Sequence, residues 1–206
     1  MKTLRTTTLI LAALAFSLCG GCKKNKAEGG AADAAAKDTA PEPPPPPPPL
    51  HDAEVTLEGG WKLTLRVPEG LADDGKGVFQ TAGNVLIVRA SCTDPCEKGA
   101  WLARSADVVA QEIAAYAAQD AAGNRIPASI QSNNRVAEDR YEYEVTVPPG
   151  GGLLDEPSLA GGVALFNDAW PKYVVCEWGA ALETAPTFKP ALIEACKSLQ
   201  VVAAAP

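Results

Sequence analysis

KYVVCEWG, residues 172 to 179, and PTFKPALIEACKSLQ, residues 186 to 200, decide the fold of this 206-residue chain. In the first, alternation puts Val174, Cys176 and Trp178 on one face of a strand. In the second, Phe188, Leu192, Cys196 and Leu199 fall at helical spacing and form a buried stripe. A strand followed at once by an amphipathic helix predicts a helix laid on a sheet. Cys176 and Cys196 lie on the inward side of each element, so their sulfurs can face the same interior.

The stretches upstream read the same way. AEVTLEGGWKLTLRVPEG predicts two short strands around Glu58-Gly59-Gly60, with Trp61, Leu63, Leu65 and Val67 alternating with polar residues. VFQTAGNVLIVRAS predicts a hairpin, Val78 to Gln80 and Val85 to Val88 about a turn at Gly83-Asn84. Residues 105 to 119 are alanine-rich, with Val109, Ile113 and Tyr116 as an apolar stripe. They predict a helix capped by Ser105 and ended by Gly123 or Asn124. In YEYEVTV, Tyr141, Tyr143, Val145 and Val147 take one face and Glu142, Glu144 and Thr146 the other, a half-buried strand. PPGGGLLDEPSL, 148 to 159, predicts a loop. GGVALFND adds one more strand before KYVVCEWG.

Strands, a helix, several antiparallel strands and a final helix make an α+β domain: an antiparallel sheet with two main helices packed on it. WKLTLRVPEG, VLIVRAS before a helix, YEYEVTV and FKPALIEACKSLQV together resemble the PsbP/Mog1-like fold over most of residues 50 to 202. That resemblance implies an accessory or binding protein without a shared active site, and it transfers no functional residue.

The domain follows a different kind of sequence. MKTLRTTT carries two cations, and LILAALAFSL, residues 9 to 18, is uncharged. Ten helical residues rise about 15 Å, half a bilayer core, so the run has the layout of a secretory signal rather than a transmembrane helix. LCGGC followed by KKNK resembles the lipobox of bacterial lipoproteins. The resemblance implies that Cys22 is lipidated after cleavage behind Gly21, with palmitate among its acyl chains. Cys19 stands where that family usually has Leu. Lys23 after the cysteine resembles outer-membrane sorting. The CxxC spacing of Cys19 and Cys22 is also that of a redox dithiol, but such a motif opens a helix in a folded domain. Two or more acyl chains hold a protein firmly to a membrane. The expected organisation is therefore a signal peptide at 1–21, a lipidated cysteine and disordered Pro/Ala-rich tether at 22–49, and one domain at 50–206. Pro43 to Pro49 are an unbroken run of seven, a stiff spacer of roughly 20 Å. His51, the only histidine, is expected in a solvated loop at the end of the tether.

From residue 50 onward the chain has 12 Lys and Arg against 21 Asp and Glu, a net charge of −9. That argues against nucleic acid as a partner and against a domain lying flat on anionic lipid. Beyond Cys19 and Cys22, four cysteines remain: Cys92, Cys96, Cys176 and Cys196. An even number in an exported domain predicts disulfides, and four permit three pairings. The facing positions favour Cys176–Cys196, and Cys92–Cys96 would then close SCTDPCEKG, where Asp94-Pro95 favours a turn. The Cys92/Cys96 loop could instead exchange disulfides or handle a soft metal, but no Met, His or further Cys pair is near it in sequence.

Catalytic constellations are sparse. The acid pairs Asp73-Asp74, Glu138-Asp139 and Asp155-Glu156 read as solvated surface, and Gly150 to Gly152 lacks the Lys-Ser/Thr of a phosphate loop. Trp170, before Pro171, is a candidate partner-contacting indole at a loop tip. No catalytic residue, metal site or cofactor is expected. The reading is a lipid-anchored, non-enzymatic accessory or binding protein of the bacterial cell envelope. Its anchor is in the membrane, and its partner is an envelope protein or small ligand. The alternative is a thiol-disulfide or metal-handling protein using Cys92 and Cys96. A hydrolase is disfavoured because no general base stands with a matching nucleophile.

Overall fold

The computed structural model describes residues 43–92 and 99–204. The expectations placed on the signal peptide, on Cys22, on the tether before Pro43, on the 93–98 loop and on Cys96 lie outside the described residues.

Two hairpins open the domain. β1 (Leu50–Thr56) pairs antiparallel with β2 (Lys62–Pro68) across the predicted Glu58-Gly59-Gly60 turn, Val55 opposite Leu63. Here the structure corrects one expectation. His51 is a strand residue opposite Val67, though it is solvent-exposed as expected, because β1 begins three residues before AEVTL. β3 (Ala72–Asp73) and β4 (Val78–Thr81) lead to β5 (Asn84–Ser91), which closes on β4 with Thr81 opposite Asn84. Gly83 makes that tight turn at φ 72°, a left-handed conformation that glycine adopts without steric cost.

α1 spans Trp101–Ala115, four residues earlier at each end than the alanine run suggests. Ser105 is therefore not its cap. It is buried one turn inside, and its Oγ donates to the Leu102 carbonyl at 2.9 Å. The first-turn amide of Leu102 is instead capped from another loop, by Asp168 Oδ1 at 2.9 Å. Such a tertiary cap leaves no trace in the local sequence. At the far end Tyr116 terminates the helix, and Gly123 and Asn124 belong to the small hairpin of β6 (Ala118–Gln119) and β7 (Arg125–Ile126). Asp120 organises that turn, its Oδ1 accepting from the amides of Ala122 and Asn124, both at 2.8 Å.

β8 (Ser129–Ala137) and β9 (Arg140–Val147) form the next hairpin, followed by β10 (Ser158–Leu165), β11 (Tyr173–Ala181), α2 (Ala185–Lys197) and β12 (Gln200–Ala203). β3 to β5 and β8 to β11 form one seven-stranded sheet in the order β3-β4-β5-β11-β10-β9-β8, and β1-β2-β12 form a second. Every neighbouring pair is antiparallel. The fold is thus α+β, an antiparallel sheet with two main helices.

The large sheet is covered on both faces. On one, α2 and the three-stranded sheet enclose Leu63, Leu65, Leu86, Val88, Trp178 and Leu192. On the other, α1 packs Trp101, Val109 and Ile113 against Tyr141, Tyr143, Val145 and Val147 of β9. The YEYEVTV alternation therefore has the physical meaning expected of it. Glu142 and Glu144 turn to the α2 side, where Lys197 Nζ lies 3.0 Å from Glu142 Oε2 and Lys189 pairs with Glu144. β11 is buried at all nine positions, since both its faces are core. Val174 and Cys176 join the α2-side core, and Tyr173 and Val175 the α1-side core.

Candidate functional site

Gly161-Gly162 in the centre of β10 shapes the interior. Gly162 stands opposite Tyr143 on β9 and opposite Glu177 on β11. A Cβ added there would lie 2.7 Å from the Tyr143 hydroxyl oxygen and 2.6 Å from the Cys176 carbonyl oxygen. The Tyr143 ring therefore crosses β10 where a side chain is missing. Gly161 clears the opposite face, where an added Cβ would meet Trp178 Cζ2 at 2.9 Å. One glycine admits a tyrosine on the α1 side and its neighbour admits a tryptophan on the α2 side.

The opening created by Gly162 holds the most concentrated polar chemistry of the described residues. Glu177 projects from β11 into the α1-side core and is 5% exposed. Its Oε1 accepts from the hydroxyls of Tyr116 at 3.0 Å and Tyr143 at 3.5 Å. Its Oε2 accepts from Arg89 Nε at 2.7 Å. Arg89 comes from β5 and donates through Nη2 to Glu112 Oε2, and Tyr173 donates to Glu112 Oε1. Glu112 and Tyr116 are four residues apart and share one face of α1. Arg89, Ala115, Tyr116, Gly152, Leu153 and Glu177 line a small cavity of about 240 Å³ above this network.

Charge and burial fix the protonation of Arg89 and of the three tyrosines. Burial alone would lower the Arg89 pKa, but the hydrogen bond and charge of Glu177, reinforced by Glu112, reverse this and hold it raised. Desolvation pushes the Tyr116 and Tyr143 hydroxyls well above their ordinary value. Desolvation and then the bond to Glu112 push Tyr173 up to about 12. At neutral pH the tyrosines are donors and not bases. Each of the four carboxylate oxygens accepts a hydrogen bond from within the protein, and the one cation is shared by both carboxylates. With its acceptors engaged from within, the cluster locks α1 to three strands of the sheet.

The sequence does not mark this network by spacing, but it leaves two traces. Glu177 interrupts an otherwise apolar run, YVVCEWGAA, and Glu112 falls on the helix stripe that carries Val108, Val109 and Tyr116. A carboxylate in a position that must be buried requires partners.

Cys176 and Cys196 form a disulfide between β11 and α2, Cα to Cα 5.3 Å, and neither is solvent-accessible. Cys92 is disulfide-bonded and packs at the edge of the α1-side core. Trp170 lies in the loop between β10 and β11, but it does not stand free as a partner-contacting indole. It is partly buried against the α2-side core and meets Trp61 edge to face at 5.6 Å. Its carbonyl accepts from Trp101 Nε1 at 3.0 Å. Asp74 serves its own turn, accepting from the amides of Lys76 at 2.7 Å and Val78 at 3.0 Å, and the first of these bonds contributes most to its lowered pKa. Among the described residues no three His, Cys, Asp or Glu side chains cluster to hold a metal ion.

A cleft of about 660 Å³ lies between the β1–β2 hairpin and the end of α2. Arg66 pairs there with Glu194, and the Arg66 amide donates to Ser198 Oγ at 2.7 Å.

No family model and no curated protein matches the chain. Solved structures that are similar to it include the two that follow. The Ran-binding protein Mog1p of Saccharomyces cerevisiae is 15% identical, with a TM-score of 0.44, covering 75% of this chain and 97% of that one. Cyanobacterial PsbP (CyanoP) from Synechocystis sp. is 19% identical, with a TM-score of 0.46, covering 74% of this chain and 92% of that one. At this level of likeness the comparison transfers no partner and no site.

Proposed function

We propose that this chain is a lipid-anchored accessory protein of the bacterial cell envelope, whose α+β domain binds a partner and does no chemistry on it. The observation that carries the reading is the fully buried Cys176–Cys196 disulfide in a chain that carries LCGGCKKNK at residues 18–26. A core disulfide belongs to an oxidising compartment. The lipobox resemblance supplies the route there and the attachment at Cys22. The seven prolines that end where β1 begins then act as a spacer between lipid and domain. The polar cluster beneath α1 is structural in this reading.

Metabolic labelling with radioactive palmitate tests it. The wild-type protein takes up label, and Cys22→Ser abolishes uptake and releases the domain from the membrane fraction. Equal labelling of the variant, or a soluble mature protein still carrying Met1, overturns the reading.

A further inference from the structure

We infer that the groove between α1 and the segment 125–130 binds a free fatty carboxylate, its apolar chain lying along α1 and its head group on Arg125. The inference rests on the domain being a binding module, names the class of its ligand, and is independent of the lipid at Cys22.

The groove has a volume of about 480 Å³, within the range of small-molecule sites. One wall is α1. Ala110 and Ala114 lie four apart on its exposed side and Ala117 just past its end, so this wall presents nothing larger than a methyl group. The other wall is Pro127 and Ala128, then Ile130 of β8. Ile130 stands opposite Val145, which places it on the α1 side, yet it is 57% exposed. An apolar chain in the groove would leave water together with this side chain. Ala110 to Ala117 cover roughly 10 Å at the helical rise, the reach of a medium-length chain.

One charged residue lines the groove, and it selects the head group. Arg125 lies on β7 opposite Gln119, and its Nη2 donates to the Ala114 carbonyl. That bond fixes the guanidinium to the α1 wall, and Nε and Nη1 stand outside it. No carboxylate lines the groove, and Arg125 is in no ion pair with a described residue. Asp120, the nearest acid in sequence, is engaged by the amides of Ala122 and Asn124 and by the Asn124 side chain. In a domain of net charge −9 the groove is therefore a positive spot with apolar walls.

A planar carboxylate matches a guanidinium through paired hydrogen bonds. Cation and apolar walls belong to the same trough, so one single-chain molecule addresses both. An acyl chain carried on Cys22 has no carboxylate to offer, because its head is spent in the linkage. A second copy docked groove to groove would bring another arginine and no acid.

The full-length protein in phosphatidylcholine nanodiscs can be titrated by calorimetry with hexanoate, octanoate, decanoate and dodecanoate, against protein-free nanodiscs as reference. Affinity should rise about fourfold with each two-carbon step, half the value for complete burial because the groove is open along one side, and level off once the groove is full. Decanoate should bind about fivefold tighter than decanol and slow amide hydrogen exchange across 125–130 but not across 50–56. Arg125→Gln should bring decanoate down to decanol and leave decanol unchanged. If that variant fails to fold, Ala110→Phe, at an exposed helix position, should fill the groove and remove both ligands. Equal binding of decanoate and decanol, affinity independent of chain length, or exchange slowed only outside 110–130 would each overturn the inference. So would a dimer in sedimentation that Ile130→Asp dissociates. Decanoate binding by a protein that takes up no palmitate would sink the anchor alone; palmitate uptake without decanoate binding would sink this site alone.

Discussion

Tyr143 and Glu177 meet across a strand to which neither belongs: the Tyr143 hydroxyl donates to Glu177 Oε1 at 3.5 Å, over Gly162 of the strand between them. The contact depends on the absence of one methyl group. It ties the strand order of the sheet to the polar cluster that holds α1.

Gly162→Ala should therefore destabilise the domain by about 1–3 kcal/mol, the usual cost of overpacking an interior. The added carbon would press on the Cys176 carbonyl, which is backbone and cannot swing aside. Urea unfolding followed by circular dichroism would report it as a lowered midpoint with an unchanged slope. An unchanged midpoint would mean that β10 can bow away from the Tyr143 ring.

Arg89→Met keeps most of the side-chain bulk and removes the cation between Glu112 and Glu177. Two carboxylates, 7% and 5% exposed, would then face each other with only hydroxyl donors. Breaking a buried pair this way costs about 3–5 kcal/mol, reduced toward 2 because the Arg89 side chain is 35% exposed. Thermal unfolding at neutral pH measures the loss, and a shift of less than a degree would show that the cluster carries little of the stability.

The buried tyrosines set an alkaline limit. Tyr116, Tyr143 and Tyr173 all keep their protons above the value of an unfolded tyrosine. Between the unfolded pKa near 10 and the raised folded values, the native state binds more protons than the unfolded one, so stability falls as pH rises. Below about pH 10 both states are protonated and these groups give no slope. Absorbance at 295 nm should show Tyr173 ionising near 12, with Tyr116 and Tyr143 ionising only as the circular dichroism signal collapses. Ionisation of all three near pH 10 in a still-folded protein would contradict the burial of the cluster.

Replacing Cys176 and Cys196 by alanine opens a loop with a sequence separation of 20 residues. The loss should be about 3 kcal/mol on chain entropy, with a small addition for the space left by two sulfurs. Because neither sulfur is accessible, the native protein should also resist mild reductant until it is unfolded. Thiol titration with and without urea measures both effects, and rapid reduction without urea would contradict the enclosure of the bridge.

Much of this architecture is readable in the residues. The alternation in YEYEVTV gives the inward tyrosines, and the positions of Cys176 and Cys196 give their bridge, because a period is a local property that survives packing. β8 escapes such reading. SIQSNNRVA is polar, bulged at two points and mostly exposed, so it carries little alternation, and its partner β9 supplies the reason it is a strand. The start of α1 escapes because its cap, Asp168, comes from 66 residues away. The network around Glu177 is visible only as an anomaly, a charge in an apolar run. Its partners come from β5, α1, β9 and β11, and only the fold brings them together.

The seven prolines run directly into β1, an edge strand of the smaller sheet, and the Glu69 amide donates to the Pro49 carbonyl at 2.8 Å just ahead of it. Any pull on the chain before Leu50 enters the domain there. Among the described residues the strand that takes the load has one strand neighbour, β2, whereas β11 and α2 are stapled to each other covalently. Under tension the domain would shed its leading strand first and keep its centre, which makes β1 a mechanical fuse.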